Sequence, residues 1–413
     1  MQPFSGVRVL DLTHVFAGPF AAHQLGVLGA EVIKIEPPDQ PDMMRSEGCD
    51  PALNDAGMGL GFQTQGAGKR TLALDLKSSA GRKLFDRLVE RSDILIQNYS
   101  AGAAARLGLE YDRLRPINPS LIYCSISGFG QTGPKAEHPA YDSVIQAFAG
   151  VMASNGTHDR HPVRIGPAVV DYGTGVQAAL AISAALFGRA QTGQGRSIDV
   201  AMTDAALMLM ASHMTSALAT GQTPLPHGNS DPGLAGYAWY ETADGPLMIG
   251  AYTNRQMANL MQAVGNPKAA NDILATPRAA IAARHDQDRA FLKTALRTRN
   301  AAEWEEILNA CHVPAARVRG LAESIAEPQI ASRPVLQDVG APVPLPVAGY
   351  TYDAGAPALA HAPRAHGADS RAVLSEIGVG DSEFATLLAQ GVVHAPPAEP
   401  CGQEGQTSNR KVV

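Results

Sequence analysis

Between Val7 and Ser127 short β-rich runs alternate with helix-period stretches, and few architectures accept that order. Val7–Leu12 reads as a first strand, and Gly18-Pro19 opens an apolar helix ending near Gly29, with proline where a first helical turn tolerates it. Glu31–Glu36 is the second strand, and Thr71–Leu76, Asp93–Asn98 and Leu121–Ser127 are three more. A helical stretch, Ala80–Arg91, separates the first two of these. The pattern predicts an α/β protein whose mostly parallel, Rossmann-like sheet is covered on both faces.

Two Ala-rich helices are predicted at Thr174–Ala190 and Asp204–Thr220, with one more strand, Ser197–Ala201, between them. The Pro/Gly/Asn-rich stretch Gly221–Gly233 then reads as a linker. Beyond it a hairpin turns at Asp244-Gly245, and helices follow at Asn254–Val264, Pro277–Arg284 and Ala301–Cys311. Asn300 and Glu303 are spaced for a capping box on the last helix. The expected organisation is a large domain from 1–220 and 328–394, a small α+β domain over 225–325, and a polar, disordered tail over 395–413.

Composition narrows the function classes. Of the 413 residues 45% are hydrophobic and 17% charged, as in a globular protein, and a net charge of −6 provides no basic field for nucleic acid. An anionic ligand then needs a local basic site. The four cysteines are scattered without a CxxC pair, which argues against a disulfide framework or a structural zinc. The N-terminal stretch MQPFSGVRVLDLTH lacks signal-peptide character and no uninterrupted apolar run approaches a membrane span, so the expectation is a soluble cytoplasmic protein.

The turn after the first strand, THVFAGPF, lacks the GxGxxG of a dinucleotide site, which disfavours a nicotinamide dehydrogenase and predicts no NAD. Asp171 lies between the apolar run Pro167–Val170 and a helix opened by Gly173 and Thr174. Taken alone it reads either as a helix N-cap or as a nucleophile whose ionised form the helix terminus favours, with flanking glycines that admit a thioester.

A set of ordered segments goes further. VRVLDLTHVFAGPFAAHQLGVLGAEVIKIE (Val7–Glu36), GKRTLALDLK (Gly68–Lys77) and DILIQNYSAGAAARLGL (Asp93–Leu109) resemble the class III CoA-transferases, the family of formyl-CoA transferase and carnitine CoA-transferase. SISGFGQTGP (Ser125–Pro134), YDSVIQAFAG (Tyr141–Gly150) and GPAVVDYGTGVQAAL (Gly166–Leu180) continue the match in order. The resemblance implies that Asp171 is the catalytic aspartate and that backbone N–H groups of Gly128, Gly130, Gly173 or Gly175 stabilise an oxyanion. It also implies CoA contacts by Val15, Phe16, Arg45, Lys69, Arg70, Asn98, Tyr99, Arg106 and His138. Coenzyme A would be substrate and product, with no metal or redox cofactor, and the protein an interlocked homodimer.

Departures from the family pattern bear on the substrate. Gly66-Ala67 stands where the family often has Asn-Arg, and Phe16 stands where formyl-CoA transferase has a glutamine. The glycine-rich lid of that enzyme has no counterpart in GAYTNRQM (Gly250–Met257), so the expected substrate is a short dicarboxylic acid with succinyl-CoA as donor. Two rivals share features of this reading. An α-methylacyl-CoA racemase would need a histidine four residues before Tyr141, where Glu137 stands with His138 one place off. A non-catalytic acyl-CoA-binding protein would leave the Asp171 segment as scaffold.

Overall fold

The computed structural model describes residues 2–353, 355 and 357–397, and the chain divides into two compact units. The first, from Met1–Ile145, Ala168–Leu209 and Pro334–Val413, is built on a seven-stranded sheet. Six strands are β1 (Arg8–Asp11), β2 (Glu31–Glu36), β3 (Lys69–Leu74), β4 (Ile94–Gln97), β5 (Ile122–Ser127) and β6 (Arg196–Ala201). They lie in the order β3-β2-β1-β4-β5-β6, all parallel. The short strand Val393–His394 adds an antiparallel edge against β3. The strand order reverses direction between β1 and β4, which makes the carboxyl ends of those two strands the expected ligand crevice.

Helices α1 (Ala17–Gly26) and α2 (Ser79–Val89) cover opposite faces. Helices α3 (Ala101–Leu107), α4 (Asp142–Phe148), α5 (Val169–Thr192) and α6 (Met202–Leu209) follow in the chain. Ala21, Ala22 and Leu25 of α1 pack with Ala178, Ala179 and Ile182 of α5 over Val9, Ile94 and Ile122. Close approach of these helices needs Gly175, where an added Cβ would lie 2.7 Å from the Ala17 carbonyl oxygen. By length and composition α5 could also cross a membrane, but one of its sides is buried in this core.

α5 starts five residues before the predicted Thr174, because glycines at 173 and 175 weaken the local helix signal while tertiary contacts extend the helix. The predicted Asp204–Thr220 helix is two, Met202–Leu209 and Ala211–Thr220. The second unit comprises Gln146–Pro167 and Met210–Arg333, wider than the expected 225–325. Its added segment is tied in locally, for Gly228 donates its N–H to the Gly156 carbonyl at 2.8 Å. A three-stranded antiparallel sheet forms there from β7 (Tyr237–Glu241), β8 (Pro246–Gly250) and β9 (Ala315–Arg317). The capping box of Asn300 and Glu303 is present. Of the tail expected to be disordered, residues 398–413 lie outside the described residues.

Candidate active site

The loop leaving β1 is held by buried charges. Asp11 accepts hydrogen bonds from the Thr13 N–H and hydroxyl, and its other oxygen meets Lys69 Nζ at 2.7 Å. Lys34 Nζ donates to the Thr13 carbonyl at 2.7 Å and pairs with Asp42 at 2.9 Å, while Asp42 also accepts from the Val15 N–H. Arg45 grips Glu36 with two nitrogens at 2.7 and 2.8 Å and lies over the Phe62 ring. Burial works against the charges of Glu36 and Lys34; against it, Arg45 and Lys34 hold the Glu36 carboxyl down at about 2, and Asp42 with Asp11 raises the Lys34 ammonium above its ordinary range. The network holds Val15 at a φ of +70°, a conformation that costs a β-branched residue about 1–3 kcal/mol.

The loop after β4 is joined to this one by a reciprocal pair. Asn98 Oδ1 accepts from the His14 N–H at 3.1 Å, and Asn98 Nδ2 donates to the His14 carbonyl at 2.9 Å. A cavity of about 450 Å³ opens beside them, with Val15, Phe16, Asn98, Gly128, His138, Tyr141 and Asp171 among the residues lining it. It lies at the carboxyl edge of the sheet, where the strand order reverses. A second hollow of about 270 Å³, lined by Thr13, Gln40 and Tyr99 among others, shares His14 and Met43 with the first.

Asp171 is 8% exposed and sits in the first turn of α5, three places after the cap residue Ala168. It is therefore not the N-cap. The cap bonds come from Asp142, whose Oδ2 accepts from the Val170 N–H at 2.8 Å and the Asp171 N–H at 3.1 Å. The expectation that the helix terminus favours an ionised Asp171 is corrected too. Burial first, and the neighbouring Asp142 charge second, push its carboxyl up to about 7. Among the described residues no cation or hydrogen-bond donor pairs with that carboxyl.

The other expected site residues divide clearly. Val15, Phe16, Asn98, Gly128 and His138 line the cavity with Asp171, and Tyr99 lines the adjoining hollow. Arg106 is exposed on α3, where its guanidinium and the Glu137 carboxylate both approach Gly102. Arg45 and Lys69 are corrected: each is buried and paired with an internal carboxylate, and neither lines the cavity or the adjoining hollow. Arg70 is corrected as well. It lies towards the amino end of the sheet, opposite the cavity, and pairs with Glu31 and Glu376. Gly173 is not an oxyanion donor, because four residues into α5 its N–H faces the Val169 carbonyl, and its lack of a side chain admits Leu209 instead. Gly130 turns the chain at φ +87° outside the cavity lining.

Two groups carry no clear signal in the sequence, one on the cavity wall and one at the opening of α5. His14 lies in the THVFAGPF turn, and burial lowers its pKa so that the ring is neutral at pH 7. Asp142 adjoins Tyr141 in a segment that reads only as a helix start. An acid at a helix start ordinarily reads as serving its own helix, and nothing local points to a target 29 positions away.

Comparison with known proteins places the chain in a family. The CoA-transferase family III model matches residues 4–370, and the chain belongs to that family. It is 36% identical to an acetyl-CoA:oxalate CoA-transferase of Acetobacter aceti over 84% of this chain and 90% of the other. It is 35% identical to a succinate–glutarate CoA-transferase of Agrobacterium fabrum, covering 82% and 86%, and 31% identical to the mouse succinyl-CoA:glutarate CoA-transferase, covering 95% and 91%. Among solved structures, a CAIB/BAIF family protein from Brucella suis superposes with a TM-score of 0.81 at 33% identity, covering 91% of this chain and 99% of that one. The chain is an enzyme of the CoA-transferase type that uses CoA thioesters.

Proposed function

We propose that this enzyme moves CoA from succinyl-CoA to a short dicarboxylic acid through covalent intermediates on Asp171. The observation that carries the covalent reading is the Asp171 carboxyl: buried, without a donor or a cation among the described residues, and lining the cavity at the sheet's carboxyl edge. Two similar proteins named for succinate or succinyl-CoA and glutarate support the substrate class.

The chemistry needs one carboxylate. An ionised Asp171 oxygen adds to the thioester carbonyl, the C–S bond breaks, and CoA leaves as thiolate, giving a mixed anhydride. The thiolate then adds to the aspartyl carbonyl and expels the donor acid as carboxylate, leaving an aspartyl-CoA thioester. The acceptor carboxylate reverses both steps, so charge and atoms balance without a proton or an external oxidant. Gly128 is the candidate backbone donor for the oxyanion, on the cavity wall. Phe16, 6.0 Å from Tyr172 between ring centres, gives the acyl end an apolar wall. The CoA body extends from Val15, Asn98 and His138 past His14 into the Tyr99 hollow, with Arg106 on the outer phosphates.

The test is a transfer assay with succinyl-, acetyl- and itaconyl-CoA against a panel of acids, followed by hydroxylamine. Inactivation by hydroxylamine only after exposure to acyl-CoA, with the modification on Asp171, is the expected outcome; inactivation that ignores acyl-CoA overturns the covalent reading. A second reading, an α-methylacyl-CoA racemase, draws on His138 sharing the cavity with Asp171. Deuterium uptake at the acyl α-carbon without transfer would favour it.

The protein acts as a cytoplasmic homodimer without nucleic acid or membrane, and the outward face of α5 supports the dimer. Val176, Leu180 and Phe187 on that helix are 52%, 69% and 71% exposed, more apolar surface than one helix of a monomer usually shows. Sedimentation is expected to give twice the chain mass, and a fully active monomer would refute this.

A further inference from the structure

The opening of α5 is stabilised from outside the helix. Ala168 at the cap position has no polar side chain, and Pro167 precedes it, so nothing local serves the first N–H groups. Asp142 serves two of them with a single oxygen, Oδ2. It is delivered by the loop from β5, which returns closely: a Cβ on Gly128 would lie 2.4 Å from the Ala140 Cβ. The bare glycine lets the Pro139–Asp142 segment lie against the end of β5.

This arrangement removes from Asp171 what a carboxylate in a first helical turn ordinarily finds. The N–H groups at a helix terminus bind anions, and here two are already bound to another carboxylate. Other titratable groups lining the cavity with Asp171 are His14 from the β1 loop and His138 and Tyr141 from the loop before α4, and Tyr172 lies beside it in α5. Among the described residues no lysine or arginine lines the cavity, and burial keeps His14 neutral.

We propose that Asp142 is a positioning residue for the transfer reaction: it closes the first turn of α5 and leaves the Asp171 carboxylate bare, next to a second negative charge, for attack on the thioester. This rests on Asp171 being the nucleophile. An acid whose anion lacks stabilising partners is the better nucleophile once ionised, and it ionises at a higher pH. The carboxyl of Asp171, up at about 7, is consistent with this geometry.

Asp142→Asn separates the two roles, because its amide oxygen can still accept both helix N–H groups while the charge is gone. The experiment is the pH profile of kcat/KM for acyl-CoA in the wild type, Asp142→Asn and Asp142→Ala, with melting temperatures alongside. In the wild type the rate rises with pH through an apparent pKa near 7. In Asp142→Asn that midpoint falls by about one pH unit and the high-pH plateau drops by roughly tenfold, with the melting temperature nearly kept. Asp142→Ala loses the cap as well, so its melting temperature falls. An unchanged midpoint in folded Asp142→Asn overturns the inference while hydroxylamine still marks Asp171. Activity retained by Asp171→Ala would instead remove the nucleophile reading beneath it.

Discussion

Asp171→Asn is expected to lose transfer activity by at least about a thousandfold and, at pH 8, to melt at a higher temperature than the wild type. The first effect follows from removing the nucleophile while keeping its shape. The second follows from linkage. The carboxyl titrates at about 7 in the folded chain against 3.8 for the free side chain, so between those values the folded state holds a proton that the unfolded state has released. Stability contributed by this group is therefore complete below pH 4, falls as the pH rises to 7, and stays low above it. A tenfold difference in proton affinity between the two states corresponds to about 1.4 kcal/mol, and with the cost of burying the new amide deducted the gain at pH 8 is about 1–3 kcal/mol. Calorimetry of both proteins at pH 5 and pH 8 checks the sign: the stabilisation grows with pH. A variant less stable than the wild type at pH 8, or one that keeps a tenth of the activity, contradicts the account.

Lys69→Met is expected to destabilise the protein by about 3–5 kcal/mol, because it strips the partner from Asp11, whose carboxylate has no solvent exposure. Lys69 Nζ also donates to the Pro19 carbonyl at 2.9 Å, tying β3 to α1. Asp11 in turn accepts from Thr13, two residues before the strained Val15, so the loss spreads to the wall of the cavity. A phosphate contact would behave differently, raising the KM for acyl-CoA several-fold while leaving stability unchanged. Chemical denaturation beside a KM measurement separates the two, and a variant of wild-type stability with only a weakened KM would return Lys69 to the ligand.

The charged positions of β2 show what a reader of the chain can and cannot extract. EVIKIE is legible as a strand from its β-branched residues, and a strand inside a parallel sheet is buried on both faces. Lys34 and Glu36 within it therefore have to be paired internally, yet their partners Asp42 and Arg45 sit in or beside a following 3₁₀ turn whose path no pattern predicts. The Lys-Arg pair at 69 and 70 looks in the sequence like one basic cluster. Strand alternation sends its two side chains to opposite faces, Lys69 inward to Asp11 and Arg70 to the surface network of Arg8, Glu31 and Glu376.

Asp171 marks the same division. Its place between an apolar run and a helix, among ordered segments shared with a family of CoA-transferases, is written in the chain, as are the sheet, its strand sequence and the absence of a dinucleotide fingerprint. Those features depend on residues near one another or on periodicities that side-chain chemistry imposes locally. Its protonation and its role at the helix end are not, because they depend on Asp142, 29 positions earlier, taking the N–H groups that Asp171 would otherwise use. A carboxyl's charge is set by the dielectric and the charges within a few ångströms, and folding alone brings those neighbours together.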